Sequence, residues 1–513
     1  MRSTTDKRLC AIVFPILLAA FLYIAHNIPY THDDWDWGLE IGADRWLSGE
    51  LNNRYTGTFF VLLMTRSAAA KTLIMGLSML LIPWLTAKLV SKATEKSNRL
   101  FLSLVAVGVF TSMPAITWRQ TYGWVSAFAN FCLATVFILM ILLLLQRCFT
   151  APHPPLCCGV LTFIFVFVTQ FFTENVSLLL PFVMLGGCIY ACRKKRARTV
   201  MFFGLAGSIC GAVLMFYNPI YGELLENGVA LEGIREFSFS VEDSPKDILF
   251  DILHTLTNKT LPMLYETHPA LCVFLSVSAG ASLWKRNKFF AILTGMLLLT
   301  YSFHCIYAAE MQRQAYYWVH PYPEVRMWGS ILFTVIFACA LLFGKTKCKR
   351  PAILLALVAY ALVVPLCVMH NLGPRCFFVA QVCLLGVGLF TFADANIKKA
   401  HICLPTTVLL ITIVFHMEIY STIGACNDLR AELIEEAIEE NAEVLALPLY
   451  DDLYVYSWGY NPQTWERAEY YREFYGLPKT IDLIFLPFDT VDSWPNIPEK
   501  MYEDALLYPY RGE

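Results

Sequence analysis

Residues 9–38 read LCAIVFPILLAAFLYIAHNIPYTHDDWDWG. About 20 apolar residues are needed to cross a bilayer core, and 9–28 supply them. Lys7 and Arg8 precede the run, and His32-Asp33-Asp34-Trp35-Asp36 follows it at once. The apolar part is too long for a signal peptide, and no small-x-small cleavage site stands before Tyr30. We read a retained membrane helix that delivers three carboxylates to the far interface.

The rest of the chain repeats the apolar signal. Further runs fall near 72–91, 100–114, 124–146, 156–173, 175–192, 199–217, 269–284, 289–308, 327–344, 351–369, 376–393 and 402–420, about thirteen spans in all. The expected fold class is an all-α polytopic membrane protein. Composition agrees: 57% of the 513 residues are hydrophobic and 16% charged, against roughly 25% charged in soluble domains. Mean hydropathy is +0.53. A cytosolic enzyme, a disordered chain and a nucleic-acid binder with a basic surface are all excluded.

Charge divides the chain in two. Residues 421–513 hold 19 Asp/Glu and 6 Lys/Arg, while the first 420 hold 22 and 33. The division predicts a membrane domain over 1–420, with loops 29–71 and 218–268, and an acidic soluble domain over 421–513. Basic clusters at Lys7-Arg8, Lys92–Arg99, Arg147, Arg193–Arg198, Lys285–Lys288, Lys345–Arg350 and Lys398-Lys399 all fall on one side when the spans alternate. Lys and Arg favour the cytoplasmic side. The N-terminus is then cytoplasmic, the tail external, and the expected location is the plasma membrane. In the tail, 429–442 and 464–475 read as helices, the second stopping at Gly476. Residues 444–449, 453–458 and 481–485 read as strands, giving a small α/β cap.

The 17 cysteines lie mostly in apolar runs, without zinc-ligand spacing, so neither a disulfide framework nor a metal-thiolate site is expected. No Walker A, Rossmann glycine pattern, HExxH or GxSxG is present.

The first loop is the richest in chemistry. Three carboxylates within four residues, Asp33, Asp34 and Asp36, repel one another and need water, a cation or a partner. One of them could serve as general base for an acceptor hydroxyl, and the pair Asp33–Asp34 could help hold a divalent cation such as Mg or Mn. Residues 39–51 read as a helix lying on the membrane, and Asn52–Gly57 as a turn presenting Arg54. The same composition also suits a solvated loop whose tryptophans form an interfacial aromatic belt. Elsewhere on this face, Gly373-Pro374 fixes Arg375, a residue type suited to bidentate phosphate contact and equally to reaching headgroups by snorkelling. Arg119 sits in 115–123. Glu174 occupies a tight turn between two spans, paired with an arginine such as Arg119 or Arg313 or exposed as a site group. Arg54, Arg119 and Arg375 around one pocket would imply an anionic ligand. Loop 309–326 adds Arg313, His320 and Arg326 among Tyr316, Tyr317, Trp318 and Tyr322.

An Asp-Asp pair directly after the first span, a surface helix behind it, a dozen or so spans and an external tail together resemble the GT-C class of integral-membrane glycosyltransferases. His32-Asp33-Asp34 with Asn53-Arg54-Tyr55-Thr56-Gly57 looks like an uncharacterised bacterial family within that class. The resemblance implies transfer of a sugar from a polyprenyl-phosphate donor to an envelope polymer, lipid or protein on the outer face. It makes Asp33 and Asp34 the matching positions for catalytic base or metal-site residue, with Asp36 extra and the assignment among the three open. It implies Arg375 as a clamp on the donor phosphate, with Arg54, Arg119, Glu174, Asp36 and His32 as further substrate contacts. A lipid-linked saccharide flippase is the first rival; an envelope polysaccharide polymerase or ligase is the second. A flippase calls for ionisable residues and Gly/Pro breaks at mid-span, in repeated halves. No repeat is found, and the ionisable residues cluster at the span ends.

Overall fold

A computed structural model describes residues 4–94, 99–231, 235–315, 322–393, 402–449, 454–459, 461–462, 464–487 and 506–508. His320, Tyr316–Trp318, Lys398-Lys399 and the start of the expected strand at 453 lie outside these residues.

The chain is a helical bundle. Helices α1 (Thr4–His26), α2 (Asp34–Gly38), α3 (Glu40–Ser48), α4 (Tyr55–Thr65) and α5 (Ala68–Ala93) contain the first span, the acidic loop and the return span. Then come α6 (Arg99–Thr111), α7 (Ala115–Thr121), α8 (Val125–Thr150), α9 (Leu156–Thr169), α10 (Glu174–Lys194) and α11 (Arg198–Phe216). The long second loop holds α12 (Pro219–Asn227), α13 (Pro245–Thr255) and α14 (Leu261–Glu266), with a two-residue antiparallel pair, β1 (Val229–Ala230) and β2 (Arg235–Glu236). The second half of the bundle is α15 (Pro269–Trp284), α16 (Lys288–Ala315), α17 (Pro323–Phe343), α18 (Lys349–Val363), α19 (Phe378–Phe392) and α20 (Cys403–Glu439).

Among the described residues ten helices are long and apolar enough to cross a membrane, or eleven if the bent pair α6–α7 is one span. Their outward faces carry exposed apolar side chains, such as Phe182 at 71% and Leu404 at 72%. Such faces are stable against lipid and costly in water. The protein is a multi-pass membrane protein.

Three departures from the sequence reading position the candidate site. First, 115–123 is not an open loop. Pro114 ends the preceding helix because it has no N–H to donate and its ring clashes with the preceding turn. The chain bends by 99° into α7, all seven residues of which are buried. Second, α8 contains a π turn over Phe128–Cys132, a feature frequent at functional sites. Third, no break stands at residue 420. Helix α20 runs unbroken for 37 residues, about 55 Å at 1.5 Å per residue, and passes from the bundle into the tail.

The tail pairs β3 (Val444–Leu449) in parallel with β4 (Asp482–Pro487), which pairs antiparallel with β5 (Leu506–Tyr508). Helix α21 (Trp465–Phe474) is capped by Thr464, whose side chain accepts from the Arg467 N–H, and it stops before Gly476 at φ 70°. Tyr454–Tyr456, inside the expected strand 453–458, forms a 3-10 turn instead. Trp35 of the first loop completes the tail's small core. It is fully buried among Ile434, Leu447, Tyr471, Leu483 and Phe485. The tryptophan read as part of an aromatic belt is a core residue of the cap.

Candidate functional site

His32 opens the acidic loop at φ 54°, a left-handed conformation that non-glycine residues seldom adopt and that clusters at functional sites. Its backbone N–H donates to the Gly459 carbonyl at 3.1 Å, pinning the loop to the tail. The turn separates the fates of the three carboxylates that follow.

Asp34 points inward and is fully buried. Its Oδ1 accepts from the Ser126 N–H at 2.9 Å and the Ser126 hydroxyl at 2.6 Å, and its Oδ2 accepts from the Thr31 N–H at 3.0 Å. The carboxyl thus ties the acidic loop to the start of α8. Burial, followed by the neighbouring Asp33 charge, holds its pKa above the usual carboxylate value. Asp36 is also buried, but ion-paired. Arg45 reaches Oδ2 at 2.7 Å and Arg467 of α21 reaches Oδ1 at 3.0 Å. Burial and then the Asp33 charge outweigh the two arginines and raise its pKa to about 6. Asp36, expected to contact substrate, locks the loop to the tail.

Asp33 is the carboxylate that keeps an open face, at 26% side-chain exposure. The Trp124 indole N–H donates to its Oδ1 at 2.7 Å, and His32 Nδ1 stands 3.8 Å from the same oxygen. Burial would raise its pKa. The His32 contact and charge, then Arg467 and the Trp124 hydrogen bond, outweigh burial and hold it below the usual value. The carboxylate is thus held in its ionised form, and both of these distances are to Oδ1.

Trp124 connects this carboxylate to the predicted phosphate clamp. The Arg375 guanidinium lies 5.0 Å from the Trp124 ring centroid and within electrostatic reach of Asp33 and Arg54. Its Nη1 donates to Gln120 Oε1 at 3.0 Å. Trp124 stacks on Trp458 of the tail, with centroids 5.7 Å apart and planes 21° apart. Arg119 lies over Trp458 at 5.2 Å. His32 packs edge-on against Trp124, at 5.8 Å. The result is a paired-indole platform with guanidinium groups against both rings and one carboxylate at the edge of Trp124. A cation–π contact of this kind fixes the Arg375 guanidinium without neutralising it.

Arg54 and Glu174 play a different part. Arg54 grips Glu174 with both prongs, Nη2 to Oε2 at 2.6 Å and Nε to Oε1 at 3.2 Å. Arg235 Nη1 donates to Oε1 at 2.8 Å and the Tyr221 hydroxyl to the same oxygen at 3.1 Å. The partners of Glu174 are therefore Arg54 and Arg235, not Arg119 or Arg313. Arg313 pairs with exposed Glu310, and Arg326 with buried Glu266 at 2.8 Å. The Glu174 network draws the acidic loop, the α9–α10 turn and the long second loop together. It borders the platform, since Asn175 Nδ2 donates to the Cys376 carbonyl at 3.4 Å, next to Arg375.

Sequence reasoning missed Trp124, Trp458 and Arg235. An indole donor and a cation on a two-residue strand carry no local signal; only the tertiary contacts single them out. Among the described residues no three His, Cys, Asp or Glu side chains gather as metal donors. Both oxygens of Asp34 already accept protein hydrogen bonds, so Asp33 and Asp34 do not together present a donor set for Mg or Mn.

No family model, curated protein or solved structure matches this chain.

Proposed function

We propose that the protein is a glycosyltransferase of the plasma membrane that takes a sugar from a polyprenyl-phosphate donor on the outer face. The orientation rests on the basic clusters. With the bent pair as one span and with α9 and α15 counted, thirteen spans put every one of those clusters in the cytoplasm. The acidic tail is then an external cap over the site.

The observation that carries the proposal is the Asp33–Trp124–Arg375 arrangement: one ionised, partly open carboxylate and one guanidinium held on the same indole. In the proposed reaction Asp33 Oδ2 takes the proton of an acceptor hydroxyl. The hydroxyl oxygen attacks the anomeric carbon, and the bond from that carbon to the phosphate oxygen breaks. The polyprenyl phosphate leaves as an anion, and Arg375 and Arg119 stabilise the charge that develops on it. A general base is worth about 10²–10⁴ in rate. Asp33→Asn should therefore lower transfer of labelled sugar from a polyprenyl-phosphate donor to envelope material by that factor, at unchanged abundance. Transfer at the wild-type rate would remove the base and with it the main support for this reading.

A further inference from the structure

A cavity of about 540 Å³ lies between the ends of α15, α16 and α17, within the size range of small-ligand sites. It is remote from Asp33. The opposite end of α16, at Glu310 and Arg313, is the one within electrostatic reach of Tyr456 in the tail. The cavity's wall is apolar along Phe290, Leu297 and Val335, and its mouth carries Arg286, Asn287 and Phe343.

The mouth is built to present cations. Arg286 Nη1 donates to the Phe343 carbonyl at 3.0 Å, and its guanidinium lies 5.6 Å from the Phe343 ring centroid. Five N–H groups belong to a guanidinium, and this bond uses one of them. Asn287 Oδ1 accepts from the Phe289 and Phe290 N–H groups at 2.9 and 3.3 Å, which leaves its amide N–H₂ to donate. Lys285, Lys288 and Lys345 flank these residues, and no Asp or Glu occurs in 267–309 or 325–393. The carboxylates of α16 and α17, Glu310 and Glu324, stand at the ends of those helices away from the mouth, so its cations have no carboxylate beside them in sequence.

Length fits as well. From Asn287 to Leu297 the helix rises roughly 15 Å, which is about one leaflet of a hydrocarbon core of ~30 Å. A groove one leaflet deep, apolar along its length and cationic at its rim, matches the shape and charge of a single lipid. We propose that it binds one anionic phospholipid, its phosphate on Arg286 and Asn287 and an acyl chain along Phe290, Leu297 and Val335. Basic pockets between spans are recurrent sites for such headgroups.

The test uses the full-length protein in phosphatidylcholine nanodiscs. Bound lipid is counted by native mass spectrometry, and melting is followed on adding phosphatidylglycerol or phosphatidylcholine of the same acyl composition. One phosphatidylglycerol per chain should be retained over phosphatidylcholine, with a raised melting temperature. Arg286→Gln should weaken that retention by about tenfold. Val335→Phe, which narrows the groove, should reduce it without removing a charge. Melting in phosphatidylcholine alone should match wild type for both variants, which separates lost binding from lost folding. Equal retention of the two lipids would overturn the proposal, as would undiminished preference in Arg286→Gln. Displacement of phosphatidylglycerol by equimolar polyprenyl phosphate would also overturn it, by making the groove a carrier-lipid site.

Discussion

Asp33 and Asp34 are adjacent and chemically identical, yet the fold gives them opposite tasks. Asp34 accepts three hydrogen bonds in a buried setting, so Asp34→Asn sets an amide N–H₂ against donors that need an acceptor. A buried donor left without an acceptor costs about 1–3 kcal/mol, and the loss should appear as lower abundance and a lower melting temperature. Asp33→Asn should keep both and lose turnover. The reverse pattern in the two variants, measured side by side by quantitative blotting and thermal melting, would mean that the roles are exchanged. Asp36 allows a test by pH. Its folded pKa, about 6, exceeds the ordinary carboxylate value of ~3.9, so between the two values the folded state holds a proton that the unfolded state has released. Stability from this group is present below pH ~4 and is lost as pH rises through about 6. The stability of wild type relative to Asp36→Asn should therefore fall between pH 4 and 6 and stay level above about pH 7. A difference that is flat across that window would mean the carboxyl is not held up.

At the scale of elements, the acidic loop and the tail form one unit. Trp35 fills the tail core, Asp36 binds Arg467, and the His32 N–H binds the Gly459 carbonyl. Truncating a buried aromatic typically costs 3–5 kcal/mol. Trp35→Ala should speed limited proteolysis within 440–487 severalfold and displace Trp458 from Trp124, so that transfer falls although neither tryptophan is altered. Trp35→Phe should restore most of both. Protease resistance equal to wild type in Trp35→Ala would show that the cap stands without the loop. The α21 boundaries and β3 were readable from Thr464, Gly476 and the apolar run 444–449. The docking was not, because a tryptophan beside a membrane has the same local sequence signature whether it meets headgroups or a protein core.

At the scale of the whole molecule, charge asymmetry makes the firmest prediction. Lys479 is exposed in the tail, and Lys194 lies at the far end of α10. In a chain cleared of its exposed cysteines, Lys479→Cys should react with an impermeant maleimide in intact cells, and Lys194→Cys only after lysis. The opposite result would invert the protein and place the Asp33–Trp124–Arg375 site in the cytoplasm, where a lipid-phosphate donor loses its rationale.

The apolar runs by themselves determined a multi-pass helical protein, because no other arrangement of such segments satisfies its backbone in lipid. Composition likewise separated the acidic tail, and the density of carboxylates in 33–36 marked the loop worth examining. Local sequence could not decide which carboxylate stays open, since Asp33, Asp34 and Asp36 differ only in what packs around them. Ser126, Arg467 and Trp124 lie 92, 431 and 91 residues away from the carboxylates they meet. Nor could it foresee that Glu174 is satisfied by Arg54 and Arg235 while Arg375 is left on an indole. Ionisation and availability depend on burial and on partners brought from distant spans, and only the tertiary structure supplies those.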